Sequence, residues 1–264
     1  MRLLRYLFCL VPILLVSEGF SQGAPQPGPA IKKPVIYQIG QIVHINATGS
    51  RPLLQAVDAL QEKYGWVVYY EDPQYPSTIE GTPTQPSGPV RRHPMARADG
   101  TSGFSTQFNA GPTPNSRPDE RTVLALIVDA NNQSNDAGQF ELRKEKDGSF
   151  VVDGVGVRSP QGETSSQQPI LDSLISLEAE RRSARETIAL ICQKVSQLSK
   201  IQVTANDAAD SLSGRAIVVV GGADVQARTL LSRTLASMGR NLYWRLLYDS
   251  SAKSYELSIS SLSQ

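Results

Sequence analysis

SARETIALICQKVSQLSKIQVTA, Ser183 to Ala205, is the stretch that decides the architecture. Ser183 with Glu186 three residues on forms a capping box, each side chain satisfying a backbone N–H left unpaired at a helix start. Behind it Ile188, Ile191, Cys192, Val195 and Leu198 recur at helical spacing, which predicts a helix over Ser183 to Lys200 with one apolar stripe. IQVTA then predicts a strand. A striped helix followed at once by a strand predicts helices packed on a sheet.

Working outward, RAIVVV (Arg215 to Val220) predicts a second strand. A helix over Asp224 to Met238 follows, capped by Asp224, with Ala227, Leu230, Leu231, Leu235 and Met238 inward and Gly239 at its end. In the closing hairpin Leu242, Trp244, Leu246 and Tyr248 share one strand face, and Tyr255, Leu257 and Ile259 the matching face of its partner. Upstream, Ile170 to Leu177 predicts a strand, preceded by a polar linker over 157–169.

The first half has the same order. It predicts a strand at Ile42 to Asn46, a helix over Arg51 to Tyr64 capped by Ser50 and stopped by Gly65, and a strand WVVYYE, Trp66 to Glu71. A Pro-, Thr-, Ser- and Gly-rich insertion, 73–118, follows as a flexible, disordered segment with one short strand at Phe104 to Phe108. A helix over Asp119 to Asn132 capped by Ser116 comes next, then QFELRKE and SFVVD, joined at the hairpin signal Asp147-Gly148. The expectation is an α+β fold of two small tandem units, each with two helices on one face of a small mixed β-sheet (βαββαββ-like). The first spans 41–156 and the second 170–264.

The N-terminus predicts export. Arg2 and Arg5 precede an apolar run, Leu7 to Val16, too short to anchor in a bilayer, and small residues allow cleavage before Ala24. This gives a signal peptide at 1–23, an extended leader at 24–40, a secreted or periplasmic location and no stable membrane span after cleavage. Cys9 departs with the signal, leaving Cys192 as a single core thiol with no intramolecular disulfide partner. With 26 basic against 25 acidic residues, the net charge of +1 gives no global field for nucleic acid or anionic lipid.

PLLQAVDALQEKYGWVVYYED in the first half, with SARETIALICQKVSQLSKIQVTAND and QARTLLSRTLASMGRNLYWRLLYDSSAKSYELSI in the second, resembles the short N-terminal domain of secretins and TonB-dependent receptors. That family follows a helix ending near a glycine with a strand, and a second helix with a closing hairpin. The resemblance implies a periplasmic unit that makes protein contacts, stacking within a secretion ring or meeting an inner-membrane partner. The chain to Gln264 has none of the alternating segments of a barrel, so a free-standing relative is expected.

No catalytic, cofactor or metal site is expected. His44 and His93 lack ligand neighbours at metal spacing. Ser250 to Lys253 matches S-x-x-K in a predicted turn, not at a helix start, and Gly221-Gly222 lacks the remainder of a phosphate loop. Asn46 and Asn132 open formal glycosylation sequons, which carry no weight here. For a polysaccharide-binding protein or hydrolase, the alternative reading, the acids would be Asp207 with Asp210, or Asp147 with Asp153. The favoured reading is a non-enzymatic interaction module whose protein partner lies in the cell envelope. Its candidate contacts are Tyr69, Tyr243 and Arg245, on strands whose alternation sends aromatic side chains to both faces; if helices cover only one face, Tyr69 or Tyr243 stands on the other, whereas packing is the more usual role of strand aromatics.

Overall fold

The Ser183 capping box forms. Ser183 Oγ accepts from the Glu186 N–H at 3.1 Å, and the Glu186 carboxylate accepts from the Ser183 N–H at 2.9 Å. Behind it runs a helix, Ala184–Ser199, that buries Ile188, Ile191, Cys192 and Val195 as the spacing requires. Leu198, at the end of the predicted stripe, stays 58% exposed.

This computed structural model describes residues 35–76, 103–111, 116–134, 137–159, 162–206, 216–239 and 241–262. The expected signal peptide and most of the leader lie outside them, as does most of the insertion. Residues 34–264 form one compact unit. Among the described residues the order is β1 (Ile36–Ile39), β2 (Ile42–Thr48), α1 (Pro52–Tyr64), β3 (Val68–Glu71), β4 (Gly103–Asn109), α2 (Glu120–Gln133), β5 (Gly138–Lys144), β6 (Phe150–Arg158) and β7 (Thr164–Ser166). After a short 3-10 turn, Ile170–Asp172, come β8 (Leu174–Ser183), α3 (Ala184–Ser199), β9 (Gln202–Ala205), β10 (Ile217–Gln226), α4 (Ala227–Met238), β11 (Leu242–Asp249) and β12 (Ser254–Ser261).

Several boundaries differ from the sequence expectation for local reasons. Arg51 stands at the N-cap of α1 without a side-chain cap, and Pro52 opens the helix where a missing N–H costs nothing. Asp119 rather than Ser116 caps α2, accepting from the Thr122 N–H at 2.8 Å. Asp224 caps nothing: its φ is +52°, and β10 continues through it to Gln226 before α4 begins. Residues 157–169, expected as a linker, supply the end of β6 and all of β7, which pairs with β6. Residues 36–39 of the expected leader form β1, paired antiparallel with β2.

The central sheet has seven strands in the order β5-β6-β3-β11-β12-β9, with β7 on β6. β3 lies parallel to β6, and β5 antiparallel to it. β9 lies parallel to β12, and β11 antiparallel to it. β3 and β11 join the two sets in parallel. Two smaller sheets lie apart from this one, β1-β2-β4 and the two-stranded ribbon β10-β8.

Alternation along β3 and β6 divides the core. Val68, Tyr70, Phe150 and Val152 pack with α1 and α2, whereas Tyr69 and Val151 join the cluster of α3, α4, Trp244 and Leu246. Helices therefore serve both faces of the shared sheet, α1 and α2 on one and α3 and α4 on the other, where the expectation was two separate small sheets, each covered on one face.

Candidate functional site

The three residues singled out for a partner lie on or beside the β3–β11 join. Tyr69 is 5% exposed and stacks on Trp244, ring centroids 5.2 Å apart and planes 4° from parallel. Tyr243 is 8% exposed and lies under the Arg245 guanidinium at 4.8 Å. Arg245 pairs with Asp58 of α1 at 2.5 Å. Neither tyrosine offers the exposed ring expected of an anchor, because β11 and the helices of the second half cover the face left open in the sequence reading. The aromatic strands contact each other.

Beside that join lies a buried ion network that sequence reasoning missed. Arg228, at the start of α4 and 1% exposed, sits 2.8 Å from Asp153, 3.3 Å from Glu71 and, through Nε, 2.7 Å from Asp172. The last contact is an ion pair without hydrogen-bond alignment. Arg143 reaches Asp153 at 2.5 Å and Asp172 at 3.1 Å. Glu71 Oε1 also accepts from the N–H groups of Ile170 and Leu171, capping the 3-10 turn.

Burial dominates the protonation of this cluster. It pushes the Glu71 carboxyl up to about 8, against the lowering by Arg228. Asp153 is raised for the same reason, again opposed by Arg228 and then Arg143. Next to it, Asp72 accepts from Arg51 Nε at 2.7 Å and from the Tyr248 N–H at 3.1 Å, while its own carbonyl accepts from the Tyr255 hydroxyl at 3.1 Å. A faint signal was available: Glu71-Asp72 ends a strand of aromatic and β-branched residues, and Arg228 opens the buried turn of an amphipathic helix. Nothing in local spacing says that they meet.

The other candidates separate. His44 stacks on Tyr37 at 4.9 Å, and His93 lies outside the described residues. Asp147 holds the β5–β6 turn by accepting from the Ser149 N–H at 3.0 Å, whereas Asp153 is committed to its arginines. Asp207 and Asp210 lie outside the described residues. Ser250 to Lys253 is the β11–β12 turn. Asn132 binds both the N–H and the carbonyl of Phe140. Gly221-Gly222 marks a bulge, since a Cβ at Gly221 would lie 2.5 Å from the Ala179 nitrogen and 2.6 Å from the Leu177 oxygen. Burial pushes the Cys192 thiol up to about 12, as befits a packed side chain. Among the described residues no group of three or more His, Cys, Asp or Glu is placed to hold a metal ion.

Clefts of about 530, 680 and 470 Å³ lie at Tyr75 and Lys253, at Arg182 and Lys194, and at Glu120 and Asp147. Glu71, Asp153 and Arg228 line none of them.

The surface feature that stands out is the ribbon. On β10 Ile217 is 55% and Val219 63% exposed, and Leu174 on β8 is 58% exposed. Val218 and Val220 turn inward at 3% and 5%. β10 pairs with β8 alone, so its other edge is unpaired among the described residues. From Ile217 to Ala223 the strand carries no charge, whereas β8 carries Glu178, Glu180, Arg181 and Arg182. Charges on an edge discourage strand addition, and their absence invites it.

No family model matches the chain, and neither a curated protein nor a solved structure does. Among the described residues no helix is long and apolar enough to cross a membrane.

Proposed function

We propose that this chain is an exported, non-enzymatic protein-interaction module of the cell envelope that takes an extended segment of its partner onto the free edge of β10. The observation that carries the reading is that uncharged edge, with Ile217 and Val219 standing out from it and a row of backbone groups unpaired among the described residues beside them. Strand addition draws its affinity from main-chain bonds and needs no deep pocket.

The chain is a duplication of one small unit. Support comes from the strand order, since β5-β6-β3 and β11-β12-β9 have the same pairing senses, and β2–β4 and β8–β10 both pair antiparallel ahead of their helices. This agrees with the resemblance to the short N-terminal domain of secretins and TonB-dependent receptors, whose role in protein contacts the proposal adopts. The basic and apolar N-terminus, Arg2 to Val16, supports export.

The test compares the chain with Ile217→Lys/Val219→Lys as bait for cross-linked envelope extract. Both positions are exposed, so circular dichroism and melting temperature stay unchanged. A partner recovered by the native chain and lost by the variant is expected. Equal recovery by both would refute the assignment of the edge.

A further inference from the structure

We infer that the segment accepted by β10 carries an acidic side chain at the position beside Val219, where Arg181 waits for it. This rests on the strand-addition reading and names the chemistry of the partner.

Register fixes the geometry. In the β8–β10 ladder Val219 stands opposite Arg181 and Ile217 opposite Ser183. Val218 and Val220 are buried, so Val219 and Arg181 share the outward face. Arg181 is exposed, and among the described residues it has no carboxylate partner. Its neighbouring acid is already engaged: Glu180 pairs with Arg182 at 2.8 Å, on the other face of the strand. The ribbon therefore presents one uncommitted cation next to an apolar, uncharged edge.

A strand added to β10 lies two strand spacings from β8, about 10 Å. An arginine on β8 and a glutamate on the incoming strand span that distance over the short Val219 side chain, which is 63% exposed. A lysine in the same place meets like charge. The alternate residues of the incoming strand fall beside Val218 and Val220, at the rim of the core, and apolar side chains suit them. The recognised segment is thus extended, apolar on one face, and acidic at one site on the other.

The probe is an acetylated, amidated peptide alternating threonine and valine with glutamate at its centre, beside the same peptide with lysine there. Binding to the native chain, Arg181→Gln, Arg181→Glu and Val219→Lys is read by fluorescence anisotropy in low salt. The native chain is expected to prefer the glutamate peptide by about fivefold, in keeping with a partly exposed pair. Arg181→Gln abolishes the preference and Arg181→Glu reverses it, while Val219→Lys weakens both peptides. Equal binding of the two peptides by the native chain, lost in Val219→Lys, overturns the acidic specificity and leaves strand addition standing. No binding of either peptide overturns both. A concentration-dependent dimer in sedimentation that Val219→Lys abolishes and the peptides do not displace would make a second copy of this chain the occupant, and would overturn the inference.

Discussion

Replacing Arg228 with methionine tests whether the buried ion network holds α4 and the 3-10 turn to the central sheet. The substitution keeps an unbranched stem and removes the cation that lies 2.8 Å from Asp153 and 3.3 Å from Glu71. Asp153 keeps Arg143 at 2.5 Å, so Glu71, fully buried, bears most of the loss. Removing one partner of a buried pair costs about 3–5 kcal/mol when the remaining charge cannot neutralise itself.

Glu71 can neutralise itself, and that sets the pH dependence. Its carboxyl is raised from 4.5 to about 8, so between those values the native state holds a proton that the unfolded state has released. Native stability therefore falls as pH rises through that window and levels off above it. Without Arg228 the carboxyl rises further, and the decline continues beyond pH 8. The cost of Arg228→Met is accordingly smallest near pH 5.5, where Glu71 is protonated in both proteins, and linkage makes it grow by up to about 1 kcal/mol by pH 8.5. Urea unfolding followed by tryptophan fluorescence at both pH values measures it. A cost that stays level or shrinks between the two pH values would refute the reasoning.

Gly154→Ala places a methyl against the backbone of Asp72 and Pro73, where β6 meets the end of β3; thermal unfolding should show a loss of about 1–3 kcal/mol, as for overpacking elsewhere. Ser183→Ala removes half of the capping box and should cost about 1 kcal/mol in urea, with Ser183→Asn restoring most of it. Cys192 is 4% exposed with its thiol pushed up to about 12, so in a Cys9→Ser background a thiol reagent should label it only as fast as the protein unfolds.

Much of the fold was legible because period and punctuation agreed locally. The Ser183 box, the Gly65 stop and the Asp147-Gly148 turn each fix an end within a few residues, and helix and strand spacing fills the rest. Misplaced ends had nonlocal causes. Asp224 resembles a cap in sequence, but the bulge forced by the close approach of Gly221 to Ala179 carries β10 two residues beyond it. Exposure of Tyr69 or Tyr243, which required helices on one face only, gives way to packing for the same kind of reason. Alternation tells which residues share a face but not what covers it, and the second half of the chain covers this one. The ion network was out of reach because its members come from β3, β5, β6, the 3-10 turn and α4, with sequence separation that no window spans.

The β3–β11 join and the β10 edge differ in how the edge of a strand is treated. β3 and β11 pair at only two positions, Tyr70 with Arg245 and Glu71 with Leu246. So short a ladder supplies little backbone bonding, and side chains carry the remainder: Tyr69 on Trp244, Arg245 on Asp58, and Arg51 bridging Asp72 to the Tyr248 carbonyl at 2.6 Å. Of these charges only Asp72 is fully buried, and a buried ion pair contributes register more than net stability. β10 has the opposite character, a ten-residue strand whose outer edge is unpaired among the described residues and carries no charge before Asp224. An edge closed within the chain requires specific partners in fixed places, while strand addition as proposed for β10 requires backbone groups, alternation and one cation to set the register. Aromatic content pointed to the first kind of edge. The second is marked by the missing charges in AIVVVGGA, read against the charged strand beside it.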